Sequence, residues 1–132
     1  MKTAYVSHNF EAGKFIVDNV VMKLHAHGIM VNSRWLYQSE GKKDGLACAL
    51  MDTQDVASAD MLILFTDDFQ EGKPGLGKWV ELGMAIARGE SHDIYLIGEK
   101  LNRSVFFAMI PDANKFKTLD EFLGAWRSKD GQ

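Results

Sequence analysis

The stretch Met61-Leu62-Ile63-Leu64-Phe65 decides the fold. Five apolar residues stand in a row between Asp60 and Thr66, with no alternation of polar and apolar positions. A strand reads this way when both faces of its sheet are covered, the usual condition of a parallel sheet held between helices. Upstream of it, a helix is expected over about Leu46 to Ser58, with Leu50, Met51 and Val56 as apolar positions. Downstream, Asp67 to Gly77 carries three glycines, a proline and several charges, and reads as a loop. A second helix is expected from about Lys78 to Arg88, ended by Gly89, and Ile94-Tyr95-Leu96-Ile97 is the next strand.

Toward the N-terminus, Thr3 to Ser7 reads as a short strand. From Phe10 onward Ile16, Val17, Val20, Val21 and Leu24 recur at helical spacing, and Gly28 stops that helix. Ile29-Met30-Val31 opens another strand, expected to run toward Trp35, and residues 37–44 read as a polar loop. Toward the C-terminus, Asn114 to Phe116 is a short fifth strand. Thr118-Leu119-Asp120-Glu121 has the residue types of a capping box, opening a last helix through about Arg127. Strands alternating with helices imply right-handed crossovers and an α/β doubly wound, parallel, five-stranded sheet in three α/β/α layers. Ligands of such sheets sit beyond the carboxyl ends of the strands, where the strand order reverses. The turn after Ser7, the loop after Thr66 and the loop after Gly98 are the segments expected there.

The bulk properties bound the function. The chain has 132 residues, 46% hydrophobic and 25% charged, enough apolar material for the core of one domain spanning 1–132. A net charge of −3 argues against nucleic-acid binding but leaves neutral nucleosides open. The lone cysteine, Cys48, lies in an apolar run and reads as a buried helix residue. The N-terminal apolar run is broken by Ser7, His8 and Asn9, so neither a signal peptide nor a membrane span is expected, and a cytoplasmic protein is the default. His25 and His27 are two apart on a helix and make a poor metal pair.

Glu81 is the first candidate for chemistry. A glycine-rich turn, Gly75-Leu76-Gly77, leads into its helix, and the helix N-terminus favours an ionised carboxylate. Beside an anomeric carbon such a group is a nucleophile; the alternative is a solvated helix residue. Asp52 and Asp55 share a helix face. A solvated role fits Asp52, whereas Asp55 lies toward the C-terminal end of its helix, where negative charge is disfavoured. The exit of the first strand, Ser7-His8-Asn9, presents backbone N–H groups without any dinucleotide fingerprint or Walker pattern. Asp67 and Asp68 lie in a loop that either closes over a base or is simply solvated.

Taken in order, Asp52…Asp55-Val56-Ala57-Ser58-Ala59-Asp60, an apolar strand, a glycine-rich turn, Val80-Glu81-Leu82-Gly83-Met84-Ala85 and Gly89 before another strand resemble the nucleoside 2-deoxyribosyltransferase superfamily. Ser33-Arg34-Trp35-Leu36 and Asn102-Arg103-Ser104-Val105-Phe106 look like a subgroup of small phage and bacterial members. The resemblance implies a flavodoxin-like fold and a glycosyl transfer in which Glu81 attacks C1′ of a 2′-deoxynucleoside, forms a covalent sugar ester and passes the sugar to another base or to water. It implies Tyr5 as the residue orienting Glu81 and Asp55 as an aid to nucleoside binding. Substrate contacts are expected from Ser7, His8, Asn9, Trp35, Asp67, Asp68, Gly75, Gly77 and Asn102, with no cofactor and no metal. It also implies a homo-oligomer whose neighbouring subunit completes the site near Asn102 to Met109. Members that hydrolyse nucleoside monophosphates carry an arginine where this chain has Glu11 and a serine where it has Phe107. Both changes favour an unphosphorylated substrate. Pro74 stands where the transferases have an acidic residue. A non-catalytic nucleotide-binding module is the competing class.

Overall fold

The computed structural model describes residues 1–38, 45–69, 75–89, 93–101 and 104–129. Five parallel strands, β1 (Lys2–Ser7), β2 (Ile29–Val31), β3 (Met61–Phe65), β4 (Ile94–Ile97) and β5 (Lys115–Phe116), form one sheet in the order β2-β1-β3-β4-β5. Helices cover both sides, so the expected three-layer flavodoxin-like architecture is the observed one. The direction of winding reverses between β1 and β3, where this strand order places its ligand crevice.

β3 sits at the centre of the sheet, and Met61 to Leu64 are all buried, as the apolar run requires. One side carries α1 (Gly13–Ile16) and α2 (Met22–Ala26), joined by a π turn over Val17–Val21. Ile16, Val20 and Leu24, four residues apart, are its buried stripe. Gly28, with φ of 80°, ends it as a left-handed cap. α5 (Leu119–Lys129) lies on the same side, where Trp126 Nε1–H donates to the His27 carbonyl and Phe122 packs on Tyr95. At its start Glu121 N–H donates to Thr118 Oγ1, and the Glu121 carboxylate accepts from Lys117 N–H. The expected capping box is thus present, with its return bond one residue further out. The other side carries α3 (Gly45–Ser58) and α4 (Gly77–Ala87), packed together.

Three expectations are corrected. The second strand stops at Val31 rather than running to Trp35. Ser33 Oγ takes over a ladder partner's role by accepting Val6 N–H, and the chain turns into a 3-10 helix at Arg34–Tyr37. Cys48 is half-buried, its thiol donating to Gln38, and Leu50 is exposed, because the first turns of α3 extend past the core. The loop read over 37–44 lies largely outside the described residues, as do residues 70–74 of the loop read over 67–77. Among the described residues no helix is long and apolar enough to cross a membrane.

Candidate active site

Tyr5 and Ser7 are two apart on β1, so both point to the face covered by α4. Glu81, in the second turn of α4, meets them there. Tyr5 Oη–H donates to Glu81 Oε2 at 2.6 Å, and Ser7 Oγ–H donates to Oε1 at 2.6 Å. Both are short, charge-assisted bonds, and together they fix the carboxylate's position and plane. Glu81 is 9% exposed. Burial pushes its carboxyl up to about 7; the bonds from Ser7 and Tyr5 oppose the rise, and nearby Asp52 adds to it. Burial and the neighbouring Glu81 push the Tyr5 phenol upward, so it stays a donor across the working pH range.

A cavity of about 350 Å³ opens beside Glu81, lined by His8, Asn9, Phe10, Glu11, Trp35, Asp52, Gly75, Leu76, Gly77 and Lys78. It is the crevice expected at the reversal of strand order. Trp35 is fixed by its indole N–H, which donates to the Val6 carbonyl at 2.9 Å. Gly75 lies against Asn9 so closely that a Cβ there would fall 2.6 Å from Asn9 Oδ1 and 3.1 Å from Asn9 Cα, which only glycine avoids. His8 stacks on Phe65 at 5.2 Å, and burial, then the Lys78 charge, lower its imidazole to about 4, so it is uncharged at neutral pH. A larger apolar groove of about 750 Å³ runs along Trp79, Leu82 and Ile86 of α4 to Phe106. Neither Glu81 nor Asp52 lines it; Asp68 and Ser104 are the polar side chains at its edge among the described residues.

The structure thus gathers Glu81, Tyr5, Ser7, His8, Asn9, Trp35, Gly75 and Gly77. It does not gather all the aspartates. Asp55, 5% exposed, is engaged by Arg34, whose backbone N–H donates at 3.0 Å and whose guanidinium lies 2.8 Å from Oδ1. Its negative charge near a helix C-terminus is offset by that cation. Asp67 accepts from the backbone N–H groups of Glu99 and Lys100, tying the β3 exit to the β4 exit. Asp68 borders the apolar groove instead. Asn102 lies outside the described residues. Phe107 is buried against Trp79.

Asp52, read from sequence as solvated, lines the cavity with Glu81. Its Oδ1 is buried with no hydrogen-bond partner among the described residues. Burial, then the Asp55 charge, raise its carboxyl above the ordinary range, against the pull of Arg34. Lys78, 1% exposed, was not singled out by the sequence either. The three-residue spacing of Asp52 and Asp55 announced a shared face, but which of them Arg34 claims is a tertiary fact.

No family model matches the chain, and no curated protein matches it in sequence. Solved structures do match. The crystal structure of a conserved protein from Enterococcus faecalis V583 superposes with a TM-score of 0.67 at 14% identity, covering 98% of this chain and 99% of that one. The structure of the Clostridium botulinum CMP N-glycosidase BcmB superposes with a TM-score of 0.63 at 18% identity, covering 98% of each chain. This chain shares its fold with both proteins. At such identities the likeness is one of backbone architecture, and the chemistry rests on the side chains described above.

Proposed function

We propose that this protein cleaves the N-glycosidic bond of 2′-deoxynucleosides, with Glu81 as nucleophile. The single observation that carries the reading is the buried Glu81 carboxylate, held by Tyr5 and Ser7 at 2.6 Å each on the wall of a nucleoside-sized cavity. The CMP N-glycosidase of the same fold supports it. A Glu81 oxygen bonds to C1′ as the C1′–N bond breaks, and the bonding pair leaves with the base. The transition state is cationic at the sugar, and an ionised carboxylate at that position lowers its energy. Asp52, whose raised affinity for a proton suits an acid, protonates the departing base. A water or a second base then attacks C1′, its proton passes to Asp52, and Glu81 is released. Asp52 fills the acid's role in preference to the two aspartates of the loop after β3. Asp67 is occupied by backbone donors, and Asp68 faces another cavity.

The substrate is unphosphorylated, because the carboxylates of Glu11 and Glu81 line the cavity and repel a phosphate dianion. A second copy of the chain is the proposed occupant of the apolar groove, making a homo-oligomer of a protein that acts in the cytoplasm. Phe106, in the groove, and Val105 and Met109, on the same 3-10 helix, are all exposed. Incubation with each 2′-deoxynucleoside and its 5′-monophosphate, with and without an acceptor base, followed by chromatography, tests the reaction. Exchanged nucleosides identify a transferase, and free base with free sugar a hydrolase. Intact substrate in every arm, or a preference for monophosphates, contradicts the proposal.

A further inference from the structure

Lys78 is the second residue of α4 and one turn before Glu81. A buried ammonium is costly, and a leucine or methionine would fill the same space without that cost. Its neighbours show what the charge does. Nζ donates to the Phe65 carbonyl at 3.1 Å and the Asp67 carbonyl at 3.1 Å, at the carboxyl end of β3. It also donates to Asn9 Oδ1 at 3.3 Å, in the turn leaving β1. One cation therefore fastens the start of the helix that carries Glu81 to the exits of both strands that flank the crevice.

The residue before Asn9 is His8. Its Nδ1 accepts the Asn9 backbone N–H at 2.7 Å, so in the uncharged ring the hydrogen sits on Nε2. Phe65 beneath the ring and Phe69 at its edge, 5.2 Å and 6.0 Å away, fix its plane. Both contacts hang on the segments that Lys78 fastens. His8 lines the cavity beside Glu81.

We propose that Lys78 is a positioning residue for the cleavage: it holds the His8–Asn9 wall in place, so that Nε2–H of His8 is a fixed donor to an acceptor atom of the nucleoside. The inference rests on the N-glycosidase reading of the site. Burial, then the Lys78 charge from α4, oppose protonation of His8, while the Asn9 side-chain hydrogen bond and Asp67 and Asp68 from the β3 exit favour it; Glu11, Asp52 and Glu81 line its cavity, and Lys23, Lys117 and Asp120 line the one behind it.

The test is nitrogen NMR of the histidine rings from pH 3.5 to 8 in ligand-free wild type and in Lys78→Met, beside kinetics on a 2′-deoxynucleoside. In wild type, His8 stays the Nε2–H tautomer and does not titrate above pH 5. In Lys78→Met its titration moves up into the pH 5 to 7 range, and kcat/KM falls at least tenfold. His8→Phe, which keeps the ring stack and removes the donor, raises KM at least fivefold with a smaller change in kcat. It carries the kinetic test should Lys78→Met not fold. An Nδ1–H tautomer in wild type, an unmoved His8 titration in folded Lys78→Met, or a His8→Phe enzyme with unchanged KM overturns the proposal. Because the NMR arm needs no turnover, a protein that cleaves no nucleoside refutes the reaction assigned to the site and leaves the His8–Lys78 coupling to be judged on its own.

Discussion

Glu81 holds two properties in tension: burial favours its protonated form, and the hydroxyls of Tyr5 and Ser7 favour the ionised one. As a nucleophile it must be ionised, so kcat/KM is expected to rise with pH through an acid limb near 7. Ser7→Ala removes one of the opposing bonds and should move that limb to higher pH; a limb that stays put or moves down would deny the Ser7 contact any part in tuning the group. Asp52 and Asp55 separate by the same logic. Asp52→Asn should lower turnover at least a hundredfold with little change in melting temperature. Asp55→Asn should leave the chemistry largely intact and cost about 2 kcal/mol of stability, since Arg34 loses a nearly buried partner while staying half in water itself. The opposite pattern in parallel kinetics and thermal melts would exchange their roles. Glu81 and Tyr5 were legible in the sequence through the resemblance. Asp52 was not, because its solvation depends on how deep α3 lies against α4.

At the scale of elements, the site is a junction of β1, β3 and α4. Periodicity reveals such elements well: Met61 to Phe65 announced a strand covered on both faces, and Ile16, Val20 and Leu24 a helix stripe. It says little about where a strand stops. β2 ends early because the Ser33 hydroxyl substitutes for a ladder carbonyl, a side-chain bond with no periodic signature. The turn before α4 is governed by close approach. Gly75→Ala should push Asn9 aside and lower kcat/KM at least tenfold, with a melting point within a few degrees of wild type. A fully active Gly75→Ala enzyme would mean the turn is looser than this packing implies.

For the whole molecule, the buried carboxyl leaves a mark on stability. Glu81 has a folded-state value near 7 against an ordinary 4.5, so its contribution is fully present below pH 4.5 and is lost as pH rises through 7. That loss is on the order of 3 kcal/mol. His8, lowered to about 4, works the other way as pH falls below 6.5, so the two partly cancel in wild type. The difference between Glu81→Gln and wild type isolates the carboxyl. Denaturant unfolding should show the variant gaining on wild type from pH 4.5 to 7 and levelling off above; a pH-independent difference would mean that Glu81 titrates as a solvated group. The proposed assembly is tested at this scale too. Phe106→Glu should shift the wild-type oligomer toward monomer in light scattering, and a monomeric wild type would remove the second copy from the groove. The three-layer fold could be read from strand order alone, whereas the groove could not, since exposure of Val105 and Met109 follows from how their 3-10 helix lies on the surface.

Above all these stands the claim that one glutamate makes the bond to the sugar. Base release from 2′-deoxynucleosides by wild type and by folded Glu81→Ala, followed side by side by chromatography, tests it most directly. Free base from wild type and a rate at least a thousandfold lower from the variant is the predicted result; equal release by the two proteins would contradict it.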